Sequence, residues 1–211
     1  MRITEARQKN ARYLYVYIEG EYALAAHTEA FAAMGLKDGM EITPEQLEEL
    51  KSRTDLIKAR ERAYDLLSYR DYSKKELIDK LSKKVEREAA ELAAERIEQL
   101  GYVDDGEYAR KLVRSLSGEK MLSERSIRRE LSQRGISAEL AEEALEELEE
   151  DDVARILRLI HRKYERKLTD DAGVRRTYAA LLRKGYSYGD VRRALQQYLQ
   201  ESGEQEEIPQ E

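Results

Sequence analysis

Between Asp151 and Leu168 the chain carries four arginines, Arg155, Arg158, Arg162 and Arg166, spaced three or four residues apart. Guanidinium forks grip phosphate or carboxylate oxygens in pairs, so a row repeated at each helical turn could follow a nucleic-acid backbone or an acidic protein groove. On a wheel of roughly 100° per residue with Val153 at zero, Ile156, Leu157, Ile160, Tyr164 and Leu168 fall within about 60° of that direction. The arginines fall between roughly 140° and 220°. The spacing predicts one helix over 151–167 with a packing face and an opposite cationic face. Glu165 is the one acidic residue inside the row. Arg175, Arg176 and Arg192 extend this candidate binding set, and Arg110, Arg114, Arg125, Arg128 and Arg129 form a second cluster around Ile127 and Leu131.

Other chemistries are poorly supplied. There is no cysteine, which excludes disulfides, thiolate metal sites and cysteine nucleophiles, and His27 and His161 are the only imidazoles. Neither has a Ser, Cys or second His at a spacing that would make a base or a ligand pair, so no catalytic residue, metal or cofactor is expected. The acid pairs Asp104-Asp105, Asp151-Asp152 and Asp170-Asp171 each precede an expected helix, where capping of free N–H groups accounts for them. No glycine-rich phosphate loop is present. Fourteen Tyr accompany one Phe and no Trp. Of those near the basic residues, Tyr186 and Tyr198 take positions that the repeat described below reserves for packing, which leaves Tyr188 to stack on a base.

Charge is unevenly distributed. The net charge is -6, yet residues 151–200 carry 12 basic and 6 acidic groups, residues 103–150 carry 8 and 13, and residues 201–211 carry 0 and 5. A partner would meet a polarised surface. No apolar run approaches the roughly 18 residues of a membrane span and none resembles a signal peptide, so a cytoplasmic protein that avoids membranes is expected.

The elements that must hold these side chains repeat every fifty residues. Leu131, Arg134, Gly135, Ile136, Ser137, Ala144, Leu145 and Leu148 return as Leu181, Lys184, Gly185, Tyr186, Ser187, Ala194, Leu195 and Tyr198. A fixed offset held across a glycine turn and an apolar stripe marks a copied unit that buries its apolar face by stacking on its neighbours. A first copy starts at Ser73, Leu77 and Leu81, but Val85 and Glu86 stand where the glycine turn belongs, and its third helix should be longer. Capping signals and breaks predict helices near 44–52, 55–70, 74–84, 87–100, 105–117, 124–134, 138–149, 151–167, 171–184 and 188–200.

The N-terminal segment has period two. Tyr13, Tyr15 and Tyr17 alternate with Leu14, Val16 and Ile18, and a two-residue turn at Glu19-Gly20 would pair Tyr17 with Tyr22 and Val16 with Ala23. Ile3–Arg7 could add a strand, since a lone hairpin is barely stable. The expected fold is mainly α: a β-hairpin-containing leader at 1–54, three-helix repeats at 55–102, 103–150 and 151–200 forming an elongated curved rod, and a disordered acidic tail at 201–211.

Ala63-Tyr64-Asp65-Leu66-Leu67-Ser68-Tyr69-Arg70, then Ser73-Lys74-Lys75-Glu76-Leu77, Gly101-Tyr102-Val103-Asp104-Asp105, Ile127-Arg128-Arg129-Glu130-Leu131 and Arg134-Gly135-Ile136 together resemble the bacterial regulatory RecX family over residues 55–200. Leu36-Lys37-Asp38-Gly39 resembles the β-rich leader of some members. The resemblance implies tandem three-helix repeats, no enzymatic activity and a monomer that regulates the RecA recombinase. It implies binding in the groove of the RecA filament on single-stranded DNA, limiting filament growth, ATPase and strand exchange. The acidic net charge of -6 favours protein contacts first and DNA contacts second. It transfers no individual contact residue. Two alternatives stay open: a DNA-binding protein with Arg125, Arg128 and Arg129 on a recognition helix, and a helical scaffold for another protein.

Overall fold

A computed structural model describes residues 1–202, and its contacts divide the chain into two compact units, Met1–Asp104 and a second from Asp105 onward. In the first unit, β1 (Ile3–Gln8), β2 (Tyr13–Ile18) and β3 (Glu21–His27) form an antiparallel sheet in that order. The turn sits at Glu19 and Gly20, both at positive φ (50° and 86°), and Tyr17 pairs with Tyr22 as the alternation predicts. The expected pairing of Val16 with Ala23 is replaced by Val16 with Leu24, because a bulge shifts the register after Tyr17. Val16 is fully buried with Ile3 and Ala26, while Tyr15 and Tyr17 meet Tyr22 edge-on at 5.9 Å on the other face.

His27 caps α1 (Thr28–Ala33), its Nδ1 accepting from the Glu29 N–H at 3.2 Å. The two helices expected at 44–52 and 55–70 are one, α2 (Pro44–Leu67). Thr54-Asp55 has the composition of a helix start, but both side chains cap other segments: the Thr54 hydroxyl accepts the His27 N–H at 3.1 Å and the Asp55 carboxylate the Glu86 N–H at 3.3 Å. The N-terminal half of α2 closes the core under the sheet through Leu50, and its C-terminal half lays Ala59 and Ala63 against Ala90, Ala93 and Ala94 of α4. Small side chains let the two helices approach closely. Between them α3 (Lys74–Leu81) starts at the Ser73–Glu76 capping box, and α4 (Arg87–Gln99), expected to be the longer third helix, has 13 residues against 9 in the second copy and 15 in the third.

The second unit holds α5 (Asp105–Gly118), α6 (Glu124–Gln133) and α7 (Ala138–Glu146), then α8 (Asp152–Leu159), α9 (Asp171–Arg183) and α10 (Tyr188–Ser202). The fifty-residue repeat is visible in three dimensions: Leu131 and Leu181 are both fully buried, Gly135 and Gly185 take φ of 80° and 91°, and Ile136 and Tyr186 fill equivalent core positions. Fully burying an aliphatic side chain of this size stabilises by about 1.5–3 kcal/mol. Met121, at φ 49°, is buried in the core built by α8, α9 and α10, and its carbonyl accepts from the Tyr186 hydroxyl at 2.9 Å.

The helix predicted over 151–167 does not run straight. It stops at Leu159, continues as a π-turn over Ile160–Tyr164 in which the Glu165 N–H reaches the Ile160 carbonyl, and ends as a 3₁₀ turn over Glu165–Lys167. Arg155, Ile156, Leu159 and Ile160 are all buried, so the buried arc of α8 is turned by roughly 90° from the wheel's prediction. Glu201 and Ser202, expected in the acidic tail, belong to α10, and residues 203–211 lie outside the described residues.

Candidate functional site

The predicted arginine row separates into two pairs. Arg155 is 1% exposed; its Nη1 donates to the Asp152 carboxylate at 2.6 Å and to the Leu122 carbonyl at 3.4 Å, and its Nη2 to the Glu150 carbonyl at 2.8 Å. Asp152 also accepts the N–H of Glu124, the first residue of α6, at 3.1 Å. Burial pushes the Asp152 carboxyl above its ordinary range, outweighing the pull of the Glu124 N–H and the Arg155 charge. Arg158 is half-exposed and held by the Glu150 carboxylate at 3.1 Å and the Ser117 carbonyl at 3.3 Å. These two arginines join the second repeat to the third, which corrects their assignment as a free cationic face. Arg162 and Arg166 are exposed and form no ion pair among the described residues.

Beyond the π-turn the exposed cations converge. A groove of about 730 Å³ lies between residues 163–170 and α9 and is lined by Lys163, Arg166, Lys167, Arg176 and Arg183, with Asp170 as its only carboxylate among the described residues. Asp170 is occupied as the N-cap of α9, accepting from the Gly173 N–H at 2.6 Å, and lies 4.0 Å from Arg176. The turn before α9 must be tight here, because a Cβ on Gly173 would collide with the Lys167 carbonyl. Thr177, 1% exposed, also lines the groove, and its hydroxyl has no hydrogen-bond partner among the described residues. The amines of Lys163 and Lys167 stand over the Tyr164 ring at 6.0 and 5.7 Å. Nearby, burial and then the charge of Lys163 lower the pKa of Lys184, whose amine donates to the Lys120 carbonyl. Cations gathered this densely around one carboxylate create a potential that favours a polyanion.

The other predicted cations are divided in the same way. Arg175 and Arg192 are exposed without an ion pair among the described residues, and Arg176 reaches only Asp170. In the second repeat Arg110 pairs with Glu107 at 3.3 Å and Glu147 at 3.9 Å, and Arg114 lies 4.0 Å from Glu107. Arg128 is held by both oxygens of Glu142, at 2.7 and 3.0 Å, while Arg125 and Arg129 on the same helix are exposed and unpaired among the described residues. Tyr186 and Tyr198 are buried, as the repeat predicts, and Tyr188 is 54% exposed with its ring 6.2 Å from that of Tyr178. Asp151 caps α8 through the Ala154 N–H at 2.8 Å. No group of acidic or imidazole side chains suited to a metal occurs among the described residues.

Family models described as the first, second and third three-helix domains of RecX match residues 59–96, 104–145 and 149–195. A regulatory protein RecX of Caldanaerobacter subterraneus subsp. tengcongensis is 30% identical over 192 residues, which cover 90% of this chain and 94% of that protein. The chain belongs to the RecX family. A regulatory protein RecX of Streptomyces lividans is 34% identical over 159 residues, covering 74% and 85%. A crystal structure of regulatory protein RecX, 22% identical, shares the fold at a TM-score of 0.63 over 92% of this chain and 98% of its own. RecX from Lactobacillus salivarius, 25% identical, gives 0.58 over 68% and 96%. The family is named as regulatory proteins, and no helix among the described residues is long and apolar enough to cross a membrane.

Within this RecX-family chain the wheel missed Lys163, Lys167, Arg183 and Thr177, all of which line the groove. The spacing Arg176-Ala179-Ala180-Arg183 was the available signal: two small residues between cations two helical turns apart leave a floor on which an anion can lie.

Proposed function

We propose that this protein binds the RecA filament on single-stranded DNA and inhibits its growth, ATPase and strand exchange, acting as a cytoplasmic monomer by binding alone. The repeats are taken as 55–102, 103–150 and 151–200. The observation that carries this reading is the segregation of unpaired cations on the third repeat, where Arg162, Arg166, Arg175 and Arg183 stay exposed without an ion pair among the described residues. Phosphates of a bound strand, or carboxylates of the filament, would supply the missing negative charge. Membership of a family of regulatory proteins supports a binding role over a catalytic one.

RecA-dependent ATP hydrolysis on single-stranded DNA, titrated with the protein, tests the reading. Hydrolysis should fall as protein is added, and the combined Arg162, Arg166, Arg176 and Arg183→Glu variant should be at least about tenfold less potent at an unchanged melting temperature. Unaltered potency of that folded variant would remove the groove from the mechanism, and stimulation of hydrolysis would overturn inhibition. Arg125 and Arg129, unpaired on α6, favour a second reading as a duplex-DNA binder. Sequence preference and a steep salt dependence on bare duplex would select it.

A further inference from the structure

The middle turn of the first repeat departs from the other two copies. Where they have Arg134-Gly135-Ile136 and Lys184-Gly185-Tyr186, the first has Lys84-Val85-Glu86. Val85 is buried, and the turn closes through the Lys84 and Val85 N–H groups on the Leu81 carbonyl at 2.9 and 3.2 Å. The equivalents of Lys84 have structural tasks: Arg134 donates to the Tyr108 hydroxyl at 2.7 Å, and the amine of Lys184 donates to the Lys120 carbonyl. Lys84 contributes its backbone instead, accepting the Lys58 amine on its carbonyl at 2.9 Å.

Beside this turn lies a cleft of about 380 Å³ between α2 and the end of α3. Its rim carries Lys58, Arg62, Lys80, Lys83 and Lys84, its floor is Ala59, Leu66, Leu81 and Val85, and no carboxylate among the described residues lines it. Lys58 and Arg62 reach Asp55 and Asp65 only at 3.9 and 3.8 Å, and Lys80, Lys83 and Lys84 are exposed with no ion pair among the described residues.

We infer that this cleft binds an acidic segment of a partner protein that seats one large apolar side chain on the floor and rings it with carboxylates. The chemistry differs from that of the third-repeat groove. A phosphate backbone has nothing to place on an aliphatic floor, and no aromatic ring among the described residues lines the cleft to stack on a base. Four of the five rim cations are lysines, point charges that a cluster of carboxylates can neutralise without the paired geometry of an arginine fork. The volume is at the lower end of ligand pockets, room for one anchor and its flanks. An apolar anchor within a charged rim is a common way for an interface to concentrate its affinity.

The test uses the full-length protein without RecA, so its failure is separate from failure of the filament reading. A fluorescent twelve-residue peptide of alternating Glu and Asp with one central Leu is titrated by anisotropy, beside its Leu→Ser counterpart and a twenty-nucleotide single strand. The Leu peptide should bind at least about fivefold tighter than the Ser peptide, and the Lys80→Glu/Lys83→Glu/Lys84→Glu variant should weaken it by about tenfold or more. Arg166→Glu/Arg176→Glu should leave it unchanged, and the milder Lys83→Glu replaces the triple variant if that one melts early. Equal binding of the two peptides, no binding of either, or loss of strand binding alone in the lysine variants would each overturn the inference, the last by making the cleft a nucleic-acid site.

Discussion

Arg155 and Arg158 lie before the π-turn and Arg162 and Arg166 lie at or beyond it, and the two pairs share a residue type, a spacing and a predicted helix face. The first pair is built into the joint between repeats, held by Asp152, Glu150 and three backbone carbonyls. The second faces solvent without an ion pair among the described residues. What separates them is the acidic run Glu149–Asp152 immediately before α8, together with the widened turn that redirects the chain afterwards. An arginine row is therefore a binding surface only where no carboxylate and no open carbonyl reaches it first.

Removing Arg155 should give the largest effect. Arg155→Ala leaves the Asp152 carboxylate buried without its cation and the Leu122 and Glu150 carbonyls without this donor, a loss of about 3–5 kcal/mol. In a unit of this size that lowers the melting temperature by more than about 10 °C, whereas Arg162→Ala should stay within about 0.5 kcal/mol of the parent. Scanning calorimetry of the two variants decides it. Equal and small shifts would mean that the buried ion pair holds nothing together.

The same joint yields a second, smaller contrast. Gly185 sits at φ 91° where an added Cβ would strike the Ser126 hydroxyl of α6 and lie 2.7 Å from that of Ser123, while Gly101 sits at φ 78° with open space around it. Gly101→Ala should cost about 1–2 kcal/mol for backbone strain alone, and Gly185→Ala about 2–4 kcal/mol, because the α6 hydroxyls must also move. Similar losses in urea melts would show that the repeats can slide apart at no cost.

Much of this architecture was legible in the sequence. The fifty-residue offset, the capping boxes at Thr43 and Ser73 and the Tyr alternation are local signals, and each corresponds to a local structure. What the sequence concealed is tertiary. Thr54-Asp55 reads as a helix start, but its side chains serve His27 and Glu86, residues 27 and 31 positions away. A wheel of uniform pitch places Arg155 in solvent, because periodicity carries no information on Asp152 or Leu122 as partners and assumes no π-turn. The groove has contributions from two separate segments, so only its α9 half, Arg176 to Arg183, left a pattern in the chain.

Arg128 supplies the mildest version of the opening contrast, because it is restrained by a carboxylate while Arg125 and Arg129 beside it are not. The hydrogen bond from Arg128 holds the Glu142 carboxyl below its usual range, and the pair is exposed, so its contribution is small and screened by salt. A carboxyl whose pKa is lower in the folded state stabilises the fold above its unfolded pKa, about 4.3 for Glu, and loses that contribution as the pH falls through the folded value. The melting temperatures of the parent and of Glu142→Gln should therefore differ slightly at pH 7 and converge below pH of about 4. A difference that persists or grows on acidification would mean that the Glu142 carboxylate charge is not what the substitution removes, and that Arg128 is restrained chiefly by Glu124, 3.5 Å away.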